Sequence, residues 1–230
     1  MISQDQALQL ITGGLAALGI DPLPPPSLAR LWNYFTELIK WNRSINLVAK
    51  ASDQEIIENH FIDSLTLLPE IHSGPMLDVG SGAGFPGLVL KIARPELEIT
   101  LAEPRQKRVS FLRHIIRTLG LTGISVTDQR LIPGDSGFAE THGQFPAITC
   151  RALTEISLFL DMVTGISPPN GLIFCMKGPR ANEELNEWMT HFPDSPFVLE
   201  RCATFTLPIS GAERNLVIFK NQGPGKVLPP

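Results

Sequence analysis

The sequence predicts an α/β protein with a Rossmann-like, mostly parallel seven-stranded sheet, an antiparallel edge and an N-terminal helical segment. Three observations lead to this fold class. From Met76 onward, seven short apolar runs appear, most of them separated by stretches with helical periodicity, as in repeated β-α-β units. A glycine-rich turn follows the first run. The last two runs are joined by only a short turn, which is typical of an antiparallel pair.

Residues 1–75 contain no strand-like run, and we predict that they form a helical cap over one end of the main domain. Apolar residues recur at i, i+3, i+4 and i+7 within residues 28–39, which predicts an amphipathic helix. Ser27 is its predicted N-cap. A second helix is predicted over residues 53–68, where Pro69 stops it.

Residues 76–222 are predicted to form the main domain, with helices on both faces of the sheet. Its strand-like runs are MLDV, EITLAE, GISVTD, AITCRA, LIFCMK, VLERCATFTLP and RNLVIFK. Residues 223–230 are predicted to be a flexible tail.

The composition indicates an ordinary soluble globular protein, with 43% hydrophobic and 18% charged residues. No apolar run reaches the ~20 residues that a membrane helix needs, and no basic leader precedes the apolar N-terminus, so we expect a cytoplasmic location. Cys150, Cys175 and Cys202 are odd in number and far apart, which argues against a disulfide framework or a zinc site. The net charge of -4 excludes a strongly basic nucleic-acid binder, so any RNA contact needs a local basic surface.

The stretch LDVGSGAGFPG, at the end of the first predicted strand, fits two nucleotide-binding patterns. A Gly-x-Gly-x-x-Gly register that begins at Gly82 matches the dinucleotide fingerprint. Asp78-x-Gly80-x-Gly82-x-Gly84 is instead typical of class I methyltransferases that use S-adenosylmethionine (AdoMet). In both patterns, the glycines let the backbone turn tightly and approach the ligand. We expect these four residues to bind the cofactor.

Two acidic residues bear on the choice of cofactor. Asp78 lies where it can supply negative charge to the cationic methionine end of AdoMet, directly or through water, and the dinucleotide fingerprint has no acid there. Glu103 closes the second predicted strand, where a carboxylate accepts hydrogen bonds from ribose hydroxyls in either class. We therefore prefer AdoMet and keep an NAD-type oxidoreductase as the alternative.

The segment after the fourth predicted strand bears on the methyl acceptor. It reads ITCRALTE and lacks the Asn/Asp-Pro-Pro-aromatic motif of methyltransferases that act on exocyclic nitrogens. Cys150 lies at this strand end, where a pyrimidine C5 methyltransferase of RNA would carry its nucleophile. A buried strand cysteine is the commoner explanation, and the C5 reaction stays an alternative.

Seven segments carry a resemblance to one family: KWNRSINLVA, HFIDSL, LDVGSGAGFPGLVLKIARPE, KRVSFLRHIIRTLGL, CRALTEI, GLIFCMKG and GAERNLVIFK. In motif and order they are similar to the bacterial small-subunit rRNA guanine-N7 methyltransferases (glucose-inhibited division protein B). The resemblance implies methylation of N7 of a guanine in the 530 loop of 16S rRNA, with AdoMet as the donor. Since N7 has an exposed lone pair and no proton, this reaction needs neither a general base nor a covalent nucleophile.

The resemblance also assigns residues of the cofactor site. Gly80 and Phe85 match the family's contacts to AdoMet in the glycine loop, and Glu103 matches its acid after the second strand. Arg151 matches the arginine after the fourth strand, near cofactor and target base, and is our candidate catalytic residue.

Other matches concern the adenine and the RNA. After the third strand the family commonly has Arg-[Ala/Val]-Glu, whereas this chain has RLI. We expect backbone groups of Leu131 and Ile132 to contact the adenine without the family's glutamate. His60 (in the family's His-x-x-Asp pattern), Lys177 and Arg214 are candidates for RNA binding.

The expected partner is 16S rRNA, within the 30S subunit or an assembly intermediate, and the chain is expected to be a monomer that binds neither a metal nor a membrane. A third alternative is a non-enzymatic RNA-binding factor of ribosome assembly that keeps an unused cofactor pocket. Activity with a labelled methyl donor separates this factor from an enzyme.

Overall fold

A seven-stranded sheet forms the centre of the computed structural model, which describes residues 2–72, 74–134 and 137–223. Its strand order is β3-β2-β1-β4-β5-β7-β6, in which β1 to β5 are parallel and β7 runs antiparallel to β5 and β6. The predicted sheet with its antiparallel edge is confirmed. The strands are β1 (Pro75–Val79), β2 (Glu98–Ala102), β3 (Ile124–Thr127), β4 (Ala147–Arg151), β5 (Leu172–Lys177), β6 (Phe197–Thr206) and β7 (Glu213–Asn221).

Helices connect most of the strands and pack on both faces of the sheet, as expected for parallel connections. They are α5 (Gly87–Ala93), α6 (Gln106–Thr118), α7 (Gly137–His142), α8 (Ile156–Val163) and α9 (Ala181–His191). The predicted tail at 223–230 lies outside the described residues except for Gly223. Of the helices in the described ranges, none is long and apolar enough to cross a membrane.

The N-terminal region is helical as predicted, with differences in detail. Helix α2 begins at Pro25 with Pro24 at the N-cap, so the prediction of Ser27 as N-cap was wrong by one turn. The prediction made no helix of the first twenty residues, which contain α1. The elements are α1 (Gln4–Ala17), α2 (Pro25–Asn42), α3 (Asp53–Ile56), a π-helical turn (Ile57–Ile62), α4 (Asp63–Leu65) and a 3₁₀ turn (Leu68–Glu70).

The sheet separates two apolar clusters, and alternate residues of β1 belong to opposite sides. Leu77 and Val79 pack with the cluster under α7, α8 and α9, whereas Met76 packs with α5, α6 and the N-terminal helices. Residues of α1 and α2, such as Ile11 and Phe35, are part of this second cluster. The N-terminal helices therefore share their core with one face of the sheet, and the division into a cap and a main domain at residue 75 stays a prediction.

The strand order and register decide where a ligand site can form. The chain turns back between β1 and β4, and the crevice at such a reversal is where doubly wound sheets bind ligands. Val79 at the end of β1 pairs with Ala102 of β2 and Cys150 of β4. The residue that follows each of these three therefore lies at the same edge of the sheet.

Asp78 is fully buried in β1 and connects this strand to α5. Its carboxylate Oδ2 accepts a hydrogen bond of 2.9 Å from the backbone N–H of Gly87, the first residue of α5. Burial raises the pKa of Asp78 to about 6, and the bond from Gly87 opposes this shift because it stabilises the charged form. Folding therefore carries an electrostatic cost at neutral pH.

We predict that Asp78→Asn changes how stability depends on pH. Between about pH 4 and pH 6 the unfolded chain releases the Asp78 proton while the folded chain keeps it, so the stability that the protonated group contributes is lost as pH rises through this window. The uncharged Asn escapes this loss and should gain about 2 kcal/mol of unfolding free energy relative to wild type between about pH 4.5 and 7.5. Urea denaturation at both pH values measures the gain, with Asp161→Asn on the surface as the baseline. A difference between wild type and Asp78→Asn that is the same at both pH values would contradict the prediction.

Candidate active site

The loop between β1 and α5 carries the three predicted glycines in left-handed backbone conformations. Gly80 has φ +69°, Gly82 +61° and Gly84 +104°. A Cβ on Gly80 would lie 2.6 Å from Leu153 Cδ1, and one on Gly84 would lie 2.3 Å from Leu88 Cδ1. Glycine is therefore required at both positions, by conformation and by packing.

Tyr34 of α2 supports this loop from the N-terminal side. Its hydroxyl donates to the backbone carbonyl of Ala83, and its ring stacks on Phe85 with 5.5 Å between centroids. Burial raises the pKa of Tyr34, so the group stays a phenol that can donate. Nothing in the sequence pattern indicates this role, because Tyr34 is one of several core residues on an amphipathic helix.

A cavity of about 260 Å³ lies beside the glycine loop, at the carboxyl ends of β1 to β4. Glu103, directly after β2, lines it and is buried. Its Oε2 accepts from the N–H of Gly82 and its Oε1 from the N–H of Arg105, both at 2.9 Å. The structure thus brings together the predicted loop and the predicted acid, and holds the carboxylate in one orientation.

Of the other residues that we predicted for the cofactor, Leu131 lines this cavity, whereas Ile132 and Phe85 do not. Leu131, Leu153 and Met162 give it apolar walls, which suit an adenine ring, whereas Ile132 is half exposed and is not part of the lining. Phe85 is buried behind the loop against Tyr34.

A second cavity, of about 350 Å³, opens on the other side of the Arg151 segment. It lies at the carboxyl ends of β4 and β5 and the beginning of β7, and the π-helical turn forms one wall. One wall of this cavity is polar and is formed by Asn59, His60, Asp63, Arg151, Arg214 and Asn215. Such π-helical turns are uncommon and occur mostly at functional sites.

Several hydrogen bonds hold Arg151 against the helical segment formed by the π-helical turn and α4, residues 57–65. Its Nη1 donates to the carbonyl of Asn59 at 2.5 Å and to Asp63 Oδ2 at 3.1 Å, and its Nη2 donates to His60 Nδ1 at 2.9 Å. The guanidinium carbon lies 5.2 Å from the centroid of the Phe85 ring. The candidate catalytic arginine thus touches both the helical segment and the glycine loop.

His60 is neutral and has a defined tautomer in this arrangement. Burial, together with the positive charges of Arg151 and Arg214, lowers the pKa of His60 to about 3. Because Nδ1 accepts from Arg151, the ring proton is assigned to Nε2, which is then a donor. The ring stacks on Phe85 with 4.9 Å between centroids.

The remaining RNA-binding candidates are both engaged in the structure. Arg214 donates from Nη2 to Asn59 Oδ1 at 2.9 Å, and its Nε lies 3.4 Å from Asp63 Oδ1. Lys177 is buried; its ammonium group donates to the Thr154 carbonyl and, at 2.7 Å, to Glu184 Oε2. The two hydrogen bonds of Lys177 fasten the loop between β4 and α8, and they use two of its three N–H donors.

Cys150 is fully buried in β4, beside Cys175 of β5. Burial and the neighbouring thiol raise the pKa of Cys150, which works against a thiolate nucleophile. In the described part of the chain, no three His, Cys, Asp or Glu side chains are grouped so that they could hold a metal ion.

Solved structures resemble this fold at low sequence identity. A methyltransferase from Pyrococcus furiosus superposes with a TM-score of 0.59 at 14% identity, over 85% of this chain and 97% of that one. An O-methyltransferase from Bacillus cereus in complex with SAH superposes with a TM-score of 0.57 at 13% identity, over 82% and 90%. These matches confirm the predicted Rossmann-like methyltransferase fold.

Sequence relatives are much more similar. The ribosomal RNA small subunit methyltransferase G of Desulfotalea psychrophila is 45% identical over 91% of this chain and 96% of its own length. The protein of the same name from Syntrophotalea carbinolica is 37% identical over 92% and 96%. The family model described as rRNA small subunit methyltransferase G matches residues 27–216. The resemblance predicted from the sequence is confirmed: the chain belongs to the rRNA small subunit methyltransferase G family.

Proposed function

We propose that this chain transfers a methyl group from AdoMet to N7 of a guanine in 16S rRNA. The observation that carries the proposal is the position of Arg151 between two cavities. Its guanidinium lies over Phe85 of the glycine loop and also lines the second cavity. The chain after Arg151 also separates the two cavities, because Ala152 lines the second cavity and Leu153 lines the first.

The first cavity fits AdoMet. The fixed carboxylate of Glu103 is suited to the ribose hydroxyls, and the apolar side chain of Leu131 to the adenine. We also assign Asp78, Gly80, Gly82, Gly84 and Phe85 to the cofactor; of these, Gly80 lines the first cavity, whereas the buried Asp78 and Phe85 would act by shaping the loop. Bound AdoMet supplies an electrophilic methyl group on its sulfonium.

The second cavity fits a nucleobase whose reacting atom needs no deprotonation. His60 is uncharged and Arg151 does not act as a base at neutral pH, so the polar wall is equipped to orient a base and not to remove a proton. Aligning the reacting atoms is then the main contribution of the protein. Guanine N7, which carries a free lone pair, matches this chemistry.

We further propose that the substrate is 16S rRNA within the 30S subunit or an assembly intermediate, and that the chain acts as a monomer in the cytoplasm. His60 and Arg214 would contact the RNA at the second cavity, and Lys177 would act there through the loop that it fastens. Ile132 would contribute through its backbone.

The alternatives are less well supported. The buried Cys150 with its raised pKa gives no support to a pyrimidine C5 reaction. The named relatives are methyltransferases, which favours neither an NAD-type oxidoreductase nor a non-enzymatic assembly factor.

The proposal is tested with 30S particles from a strain that lacks this enzyme. Purified protein and AdoMet with a labelled methyl group should methylate these particles, and base-specific cleavage at 7-methylguanine should map the label to one guanine of 16S rRNA. No transfer, or a label on a pyrimidine, would contradict the proposal.

We predict that Arg151→Ala lowers single-turnover methyl transfer to 30S particles by about a hundredfold, because the clamp that aligns the reacting atoms is lost. The affinity for S-adenosylhomocysteine, measured by calorimetric titration, should change much less. Arg201→Ala, on the exposed edge strand β6, is the matched control. Equal losses in transfer and cofactor affinity would instead make Arg151 mainly a cofactor ligand.

We predict that Glu103→Ala weakens S-adenosylhomocysteine binding by about 1–3 kcal/mol, since charged hydrogen bonds to the ribose are removed. The same titration measures this, with Glu98→Ala at the exposed start of β2 as the control. Unchanged affinity in the Glu103 variant would remove this residue from the cofactor site.

A further inference from the structure

The polar wall of the second cavity presents a hydrogen-bond donor next to an acceptor. Arg151 binds His60 Nδ1 through one terminal nitrogen and Asp63 Oδ2 through the other. The planar guanidinium fork therefore holds the two side chains side by side. Neither the Nε2–H of His60 nor the Oδ1 of Asp63 has a hydrogen-bond partner among the described residues. The Asp63 oxygen is covered, with Arg214 Nε at 3.4 Å, so a ligand reaches it only when a neighbouring side chain such as Arg214 moves aside.

Asp63 Oδ1 is one of two buried side-chain oxygens in the described residues that make no hydrogen bond, the other being Asp78 Oδ1 in β1. The Asp63 side chain is only 5% exposed. The nearest charged neighbour of its Oδ1 is Arg214 Nε at 3.4 Å, an ion pair without hydrogen-bond geometry. A buried acceptor in this state costs free energy unless a ligand supplies a donor.

We propose that the target guanine is recognised in this cavity through its Watson–Crick edge, with His60 Nε2–H donating to O6 and Asp63 Oδ1, uncovered by a shift of the Arg214 side chain as the base enters, accepting from N1–H. This inference rests on the proposed function. It assigns Asp63 a direct contact to the base in addition to its contacts with the two arginines.

The order of the groups agrees with the position of the cofactor cavity. Along guanine, N7 is next to O6, and O6 is next to N1–H. Along the wall, His60 stacks on Phe85 of the glycine loop, and Asp63 lies three residues further along the helical segment. With O6 at His60 and N1–H at Asp63, N7 is on the side of the glycine loop, where the methyl donor binds.

The charge of Asp63 also suits the reaction. Methylation at N7 makes the purine cationic, which turns N1–H into a stronger donor. The hydrogen bond to Asp63 therefore becomes stronger as the methyl group is transferred, and such an interaction lowers the barrier more than it strengthens ground-state binding. Adenine offers the opposite pattern, an amine at position 6 and an acceptor at N1, and would leave both protein groups without partners.

The test uses 30S particles reconstituted with a modified target base. Inosine keeps O6 and N1–H and lacks only the amine at position 2, so wild-type protein should methylate it within about threefold of the guanine rate. The base 2-aminopurine lacks both O6 and N1–H, and its single-turnover rate should fall by about a hundredfold or more. Equal rates on 2-aminopurine and guanine, or a large loss on inosine, would overturn the proposal.

A double-mutant cycle then separates direct contact from positioning of the arginines. Asp63→Asn should lower transfer to guanine particles by about a hundredfold and transfer to 2-aminopurine particles by less than threefold, because the contact is already absent there. The intrinsic reactivity of N7 cancels in this comparison. The same carboxylate-to-amide change at the exposed Asp161, on α8, is the control and should act equally and weakly on both substrates.

Equal losses on the two substrates would mean that Asp63 acts only through Arg151 and Arg214, and would overturn the direct contact. Retained S-adenosylhomocysteine affinity of Asp63→Asn shows that the variant is folded, and the wild-type comparison of the three bases does not depend on it. Failure of the proposed function is distinguishable, because wild-type protein would then not methylate even the guanine particles.

Discussion

The contact between Arg151 and the helical segment organises the site. It joins the end of β4 to residues roughly ninety positions earlier in the chain, namely Asn59, His60 and Asp63. Removing one partner of a buried charge pair typically costs about 3–5 kcal/mol, because the other charge stays buried. This contact fixes the helical segment over the edge of the sheet, and it also forms the partition between the two cavities.

Charge in this partition is balanced locally. The carboxylate of Asp63 lies between Arg151 and Arg214, and burial, together with the same two arginines, lowers the pKa of His60 and keeps it neutral. A comparable contact fastens the next loop, where Lys177 and Glu184 hold the segment that follows Ala152. Since Ala152 itself has a left-handed backbone with φ +49°, the chain after Arg151 is held in a conformation that its own sequence does not favour.

The glycine loop is supported from two directions. Glu103 binds the N–H of Gly82 from the β2 side, and Tyr34 binds the carbonyl of Ala83 from the N-terminal helices. Beneath it, the buried Asp78 holds the first turn of α5. The N-terminal helices therefore belong to the same apolar cluster as the loop, and through Tyr34 they support the loop that borders the first cavity.

The sequence by itself determined the fold class, the seven strands, the glycine loop and the place of Glu103 and Arg151. These follow from local patterns: alternation of apolar runs marks each strand, glycine spacing marks the turn, and parallel strands bring their carboxyl ends to one edge. Only the tertiary structure decided the start of α2, the π-helical turn, the support by Tyr34, the fastening role of Lys177 and the position of Asp63 between two arginines. These depend on side chains far apart in the chain that meet only when the core is packed, and such contacts leave no periodic signal in a single sequence.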